Sequence, residues 1–437
     1  MSTLKDRFIV FHKILGATAL CVALAGCSSD EPVNPPVPED DSGCEIGYRL
    51  TVSGDEESRC VADTTNDHSY EFTTANFRAN LPMVQMRLEY DNGAGYTTYG
   101  SHWCVNLPSI GDYRTANANA AAASYSVNDF THSPNYWQPD RTTYVYAMTG
   151  HTNCNFTTEG GMPDFSETGT AASLGDRLIF DNFRQWGYHP VDLLFGYGKA
   201  RKSYVEYRAN PRIDVVFNHA MAKLTFTIAN NNPNIIVRVD NIRIGNIYTK
   251  GRFNYNNAMS IMGWNADNIG NINGDNVGQV WTNLDEKTVL SVNQELAKMG
   301  SFTVANGEEK TPWTAFDKAF FYTIVPQEVA KWTPSAKGNP CLILDCVITD
   351  TANGKVIWSS DGSNGIYIPM TNSTETTQKF LPGRHYHYKI TFPNNTDWND
   401  GGWDANGNPV LVPVGITAAV GDWIGEDWGH WNPTWWN

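Results

Sequence analysis

The stretch "IDVVFNHAMAKLTFTI", residues 213–228, carries two apolar alternations that are out of phase. Ile213, Val215 and Phe217 hold odd positions, and Leu224, Phe226 and Ile228 hold even ones. Alternation with period two marks a half-buried strand. A bulge or bend between the halves shifts the inward phase by one residue and lets a long strand pass from one sheet to the next. A helical turn would also gather Phe217, Met221 and Leu224, and a charged His219–Lys223 site is the third reading. The strand-rich flanks favour the bent strand, and no nucleophile or carboxylate stands near enough in sequence to complete a catalytic set.

Similar alternation runs through the chain. "LPMVQMRLEY", "TTYVYAMTG" and "DRLIFDNF" read as strands parted by Gly, Asn and Pro clusters, and "PVDLLFGYGKA", residues 190–200, reads as a closing strand. "NANAAAAS" near residue 120 is the one short helix candidate in this half. A charged segment, "RKSYVEYRANPR", places a boundary near residue 205. Beyond it "IIVRVDNIRIGNIY", "KAFFYTIVPQ", "CLILDCVITD", "KVIWSS", "GIYIPM", "HYHYKITF" and "VLVPVGITAAV" read as strands, with helix signals nearly absent. This is the pattern of an all-β protein built as two β-sandwiches, N-terminal over 44–204 and C-terminal over 205–437. A length of 437 residues, too long for one core, agrees. Charged residues make up only 18%, while Gly, Asn, Thr, Tyr and Trp are plentiful, which favours strands and turns over helices. A formal net charge of −15 argues against a nucleic-acid partner, whose phosphates need a basic surface.

The N-terminus, "MSTLKDRFIVFHKILGATALCVALAGC", has a basic start and an apolar run too short to span a membrane, so residues 1–26 read as an export signal. It ends in "LAGC", which resembles the bacterial lipobox and makes Cys27 the lipidation candidate. Acyl chains on Cys27 would hold the chain on a membrane. "SSDE" then resembles the surface-export tag of outer-membrane lipoproteins in anaerobes, with an acidic tether as the plainer alternative. Residues 27–43 form an acidic, Pro-rich spacer, so the folded part begins near Cys44. Six further cysteines, Cys44, Cys60, Cys104, Cys154, Cys341 and Cys346, are disulfide candidates in an exported chain, with about fifteen possible pairings. Cys341 and Cys346 are five apart, so one regular strand would point them to opposite faces, against their pairing with each other. No spacing matches a zinc or haem motif, and no cofactor is implied.

"DLLFGYGKA" followed at a short interval by "VVFNHAMAKLTFTI" resembles the hinge between the two domains of the fimbrillin family, the type V pilins and their accessory subunits. "TTYVYAMTG", "TKGRF" (249–253), "FYTIVPQ" (321–327), "FLPGRHYHYKITF" (380–392) and "VGITAAVGDW" (414–423) match further family motifs in order. The resemblance implies two transthyretin-like sandwiches in a lipoprotein on the outer membrane, exposed at the cell surface and built into a fimbrium. It also implies that an Arg-specific protease releases the first strand and that a C-terminal strand of another pilin subunit fills the groove. Here the first strand would be "EIGYRLTVS", with Arg59 and Arg49 as cleavage candidates and the acidic loop "SGDEESR" favouring Arg59. Simple solvation is the plainer role for both arginines. The chain departs from the family pattern in Cys44 and Cys60, which bracket the first strand and, if bridged, would retain it after cleavage. It departs again in an Asn/Gly-rich insertion over 258–304 and in an aromatic tail. Stalk, anchor and tip roles stay open.

Seven of the fifteen tryptophans lie in residues 398–436, a stretch without Lys or Arg. Trp428, Trp431, Trp435 and Trp436 are binding candidates for a host protein or glycan, and the alternative function is a surface glycan-binding lipoprotein. Capping of the second sandwich is the competing role for these rings. "DWNDGGWDANGNP" gathers Asp397, Asp400, Asp404 and Asn406, yet lacks the Glu of an EF-hand and reads as a turn-rich loop, not a metal site. Asp63-Thr64-Thr65 and Asp350-Thr351-Ala352 resemble O-glycosylation acceptors, with chance occurrence the alternative. No metalloprotease, hydrolase-elbow or phosphate-loop motif is present, so catalytic residues are none and no enzyme is expected.

Overall fold

A computed structural model of the chain describes residues 46–53, 84–104, 136–149, 166–167, 169–185, 192–201, 212–291, 299–313, 320–360, 364–371, 376–394, 402–410 and 414–422. Strands dominate. The first are β1 (Gly47–Val52), β2 (Val84–Asp91), β3 (Tyr96–Cys104), β4 (Thr142–Thr149), β5 (Ser166–Glu167), β6 (Leu178–Arg184) and β7 (Leu194–Arg201). Next come β8 (Arg212–His219), β9 (Ala222–Asn230) and the long β10 (Ile235–Phe253). Two short helices, α1 (Tyr255–Ile261) and α2 (Val277–Val280), precede β11 (Trp281–Leu290), β12 (Phe302–Val304) and β13 (Glu308–Lys310). The chain then forms β14 (Phe321–Ile324), β15 (Glu328–Ala330), β16 (Cys341–Asp350), β17 (Val356–Ser359) and β18 (Ile366–Pro369). It closes with β19 (Thr377–Lys379), β20 (Arg384–Phe392) and β21 (Gly415–Asp422).

These strands build three main sheets and one small pair. The first sheet runs β1-β8-β7-β4-β2-β3, and the third runs β13-β9-β20-β21 with β14 also on β9. The second runs β17-β16-β10-β6-β5, with β11 and β12 on β10 and β18 on β16, and β15 pairs with β19. The second and third sheets face each other across the larger core. There Val237, Val239, Ile242 and Ile244 of β10 and Leu342, Leu344 and Ile348 of β16 join one cluster with Leu224, Phe226 and Ile228 of β9 and Tyr386, Tyr388 and Ile390 of β20. Each such side chain contributes about 1.5–3 kcal/mol on burial. In β10 the inward phase changes from odd (Val237, Val239) to even (Ile242, Ile244), and the register against β16 slips between Val239 and Asn241. A bulge there keeps apolar side chains pointing inward along a 19-residue strand.

The Asn/Gly-rich segment after β10 contributes to the core, and the two short helices beside it are few among many strands, as the sequence pattern expects. Tyr255, Ala258, Met259, Met262, Ile272, Val280 and Trp281 pack in one cluster with Tyr146, Met148, Phe195 and Tyr197 of the first sheet. The Tyr255 hydroxyl donates to the carbonyl of Gly196, and Asn218 Nδ2 donates to the carbonyl of Ala266. The segment therefore roofs the first sheet.

Candidate functional site

The first sheet ends in β1, which lies parallel to β8 in the register Gly47↔Arg212 to Val52↔Phe217. Among the described residues β1 pairs with β8 alone, so it is an edge strand there, covering the ladder of a strand whose Ile213, Val215 and Phe217 are fully buried. Without β1, those N–H and C=O groups of β8 would form an open edge ready to accept another chain. On the other flank, β8 lies close to β7 because Gly198 has no side chain: a Cβ there would stand 2.3 Å from the Asp214 carbonyl oxygen.

At the end of β8 the chain changes sheets. β8 belongs to the first sheet and β9 to the third, with only Ala220 and Met221 between. This is the physical meaning of the two out-of-phase alternations, a strand that changes sheets at a bend. The crossing is pinned on every side. Ala220 N–H donates to the Leu193 carbonyl at 2.8 Å, the Trp281 indole N–H donates to the Ala220 carbonyl, and Gly383 N–H donates to the Met221 carbonyl at 2.9 Å. His219 Nδ1 lies 3.0 and 3.1 Å from the two carboxylate oxygens of Asp192, both residues buried. Asp192, from "PVDLLFGYGKA", is thus the carboxylate that sequence proximity did not reveal. Lys223 goes elsewhere: its ammonium sits 5.1 Å from the centre of the Phe321 ring. The arrangement locks the crossing.

The third sheet ends in β21, antiparallel to β20 from Arg384↔Asp422 to Thr391↔Gly415. β20 is anchored by its own preceding turn. Gly383 takes the left-handed φ of 65°, and the Tyr386 hydroxyl accepts from Leu381 N–H and donates to the Lys379 carbonyl, both at 2.9 Å. Phe380 packs edge-on against Tyr386 with ring centres 4.8 Å apart. The "FLPGRHYHYKITF" motif is therefore a tyrosine-closed corner that launches the strand on which β21 hangs.

Of the residues singled out in the sequence, Arg49 lies within β1, its Cα in register with that of Asp214. Cys104 ends β3 opposite Val84. Cys27, Cys44, Arg59, Cys60, Cys154, Trp428, Trp431, Trp435 and Trp436 lie outside the described residues. Cys341 and Cys346 are free and buried in this structure. Cys346 packs in the core between the second and third sheets, whereas Cys341 packs with Trp332 and Ile343 in a separate cluster. Burial pushes the Cys341 thiol up to about 12 and raises Cys346 as well. Asp404 serves as a turn acceptor: its Oδ1 takes the N–H groups of Asn406 and Asn408, each at 2.8 Å, and its Oδ2 the amide of Asn408 at 2.9 Å. Its oxygens are engaged in Asx-turn bonds.

No curated protein matches the chain. Among solved structures it is similar to a proposed cell adhesion protein from Bacteroides uniformis, at 14% identity over 78% of this chain and 91% of that one, with a TM-score of 0.30. It is also similar to a proposed cell adhesion protein from Parabacteroides distasonis, at 8% identity over 87% and 97% with a TM-score of 0.38. A third similarity is to the fimbrial anchor protein Mfa2 from Porphyromonas gingivalis, at 7% identity over 87% and 98% with a TM-score of 0.28. The model of the fimbrillin-like family matches residues 106–423, well over half of the sequence. On that match, and with the ordered motifs accounted for by the fold, the chain belongs to the fimbrillin-like family.

Proposed function

We propose that the chain is a structural or adhesive subunit of cell-surface fimbriae, joined to its neighbours by donor-strand exchange. The observation that carries this reading is β1: a short edge strand, parallel to β8, covering six residues of a strand whose inward side chains are core. A parallel edge strand joined to its neighbour by more than 150 intervening positions can be exchanged for a strand from outside without unravelling the rest of the sheet. The strand offered to the next subunit is β21, an edge strand in its own sheet. Cys27 carries the lipid that ties the chain to the outer membrane, and Arg59 or Arg49 is the cleavage point. The two sandwiches, read from the sequence as 44–204 and 205–437, are proposed to part at Ala220–Met221, a reading supported by the pairing of β8 with β1 and β7 and of β9 with β20.

The test is limited digestion of the purified chain with an Arg-specific protease, with the new N-terminus sequenced and the product sized with and without reductant. A cut after Arg59 or Arg49 followed by higher oligomers supports a polymerising subunit. A cut that leaves a monomer, with the first strand freed only by reductant, assigns a terminal or anchoring subunit locked by Cys44–Cys60. No cut at either arginine overturns the exchange reading.

A further inference from the structure

Between β20 and β21 the chain visits the second sheet before it returns to the third. Phe392 ends β20 and Gly415 begins β21, with the 22 positions 393–414 between them. At Trp403 this connection is fastened to β18. Tyr367 N–H donates to the Trp403 carbonyl at 2.8 Å, and Trp403 N–H donates back to the Tyr367 carbonyl at 3.3 Å. The pair forms an antiparallel bridge on β18, whose other neighbour is β16. Trp403 also bridges Pro409 as the segment folds back on itself. There Asp404 N–H donates to the Asn408 carbonyl at 2.8 Å, and Val410 N–H to the Gly402 carbonyl at 2.6 Å.

Side chains hold the same fastening. Trp403 and Tyr367 pack against the buried Trp332, Cys341 and Ile343, and the Trp332 ring stacks on Tyr367 with centres 5.6 Å apart. Gly407, at a left-handed φ of 84°, sits so close to Pro334 that a Cβ there would stand 3.0 Å from the proline Cβ. Lys337 Nζ donates to the Ala405 carbonyl at 3.3 Å. These bonds and ring contacts run to β18, to residues 332–337, to β16 and within the segment itself. Val410 adds a contact to the large core. Chain length then sets the reach of β21. Five residue steps separate Val410 from Gly415, and at about 3.6 Å a step they span at most ~18 Å. From Phe392 the steps number 23, which would span about 80 Å.

We propose that Trp403 is a positioning residue for the C-terminal edge strand. Segment 402–410 stays mounted on β18 when β21 parts from β20, and it confines the start of β21 to within about 18 Å of Val410. At home, β21 therefore closes only a short loop to pair with β20. Offered outward, it serves an acceptor edge only within that reach, which makes the joint between subunits short and stiff. This use in assembly rests on the reading of β21 as the strand offered to the next subunit, whereas the mount is a property of the chain by itself.

The test is amide hydrogen exchange on the purified full chain at rising urea, below the concentration that unfolds it. The opening that releases 415–422 is expected to leave 403–410 protected. Trp403→Ala lengthens the loop that β21 must close from four residues to 22, which by loop-closure entropy should raise the opening of 415–422 about 10-fold. Protection in 237–244 of β10 should stay unchanged, and Trp403→Phe, which keeps a ring against Tyr367, should recover most of the loss. A Gly/Ser insertion after Val410 that lengthens the loop to 22 residues should loosen 415–422 equally while 403–407 stays protected. One shared opening for 403–410 and 415–422 in the wild-type chain overturns the mount, and so does unchanged exchange of 415–422 in the insertion variant. The wild-type comparison decides even if a variant does not fold. Strand exchange fails separately, by cleaved chains that bind no added β21 peptide while 403–410 and 415–422 still open apart.

Discussion

The indole N–H of Trp281 donates to the carbonyl of Ala220 at 2.9 Å, tying the start of β11 to the bend where the chain leaves the first sheet for the third. Trp281 is also buried against Phe183 and Phe253, with ring centres 5.2 and 5.3 Å away. Trp281→Phe removes the donor and part of the ring, leaving a buried carbonyl unpaired. The expected cost is about 2–3 kcal/mol. Urea unfolding should show a lower midpoint with an unchanged slope.

Glu89 is a fully buried carboxylate that receives three donors: the Tyr146 hydroxyl, the Ser173 hydroxyl at 2.7 Å and the Leu174 N–H at 2.7 Å. Burial, then the Glu89 carboxylate, push the Tyr146 hydroxyl far above its usual range, so it stays protonated as a donor. Glu89→Gln turns one acceptor into a donor that faces donors. The expected loss is about 1–3 kcal/mol, measured by thermal and urea unfolding. Tyr146→Phe should cost less, because two donors to Glu89 remain.

Gly198 sets the distance between β7 and β8. The methyl of Gly198→Ala would meet backbone, which cannot swing aside as a side chain can. Overpacking of this kind costs about 1–3 kcal/mol. Amide exchange should speed up in 212–217 and in the β1 segment 47–52 that hangs on it, more than in β16.

The two thiols of "CLILDC" should be inert in the native chain. Alkylation at mildly alkaline pH followed by peptide mapping should leave Cys341 and Cys346 unmodified natively and label both in guanidinium. Burial raises both thiols, so the reactive thiolate is scarce and the sulfur is out of reach.

Much of the strand order was legible because period-two alternation survives into the fold, as in β10 and β20. The phase change around "NHAMAK" was legible too, since a sheet change is the economical way to keep Phe217 and Leu224 both buried. The roof over the first sheet was hidden. Tyr255, Met259 and Met262 stand at helical spacing, but the Asn-rich face around them has the composition of a loop. Asp192 was hidden for another reason: its partner His219 is 27 positions away, and only the pairing of β7 with β8 brings them together. Alternation also gives no sign of whether a strand pairs parallel or at an edge, so the position of β1 on β8 had to come from the fold.

Acid sensitivity follows from the His387 ring. Its folded value of about 4 lies below the unfolded value of 6.5, so the unfolded chain binds the proton more readily. Stability from this group is fully present above pH 6.5 and is lost as pH falls toward 4. Urea midpoints should therefore drop over that window, and His387→Gln should reduce the drop.

Exchange at β8 is tested most directly by adding a labelled peptide with the β21 sequence, residues 415–422, to protease-cleaved chain under reducing conditions. Saturable binding that restores amide protection to 212–217, the segment β1 had covered, is the predicted result. Absence of binding, with 212–217 left unprotected after the first strand has gone, would contradict donor-strand exchange in this chain.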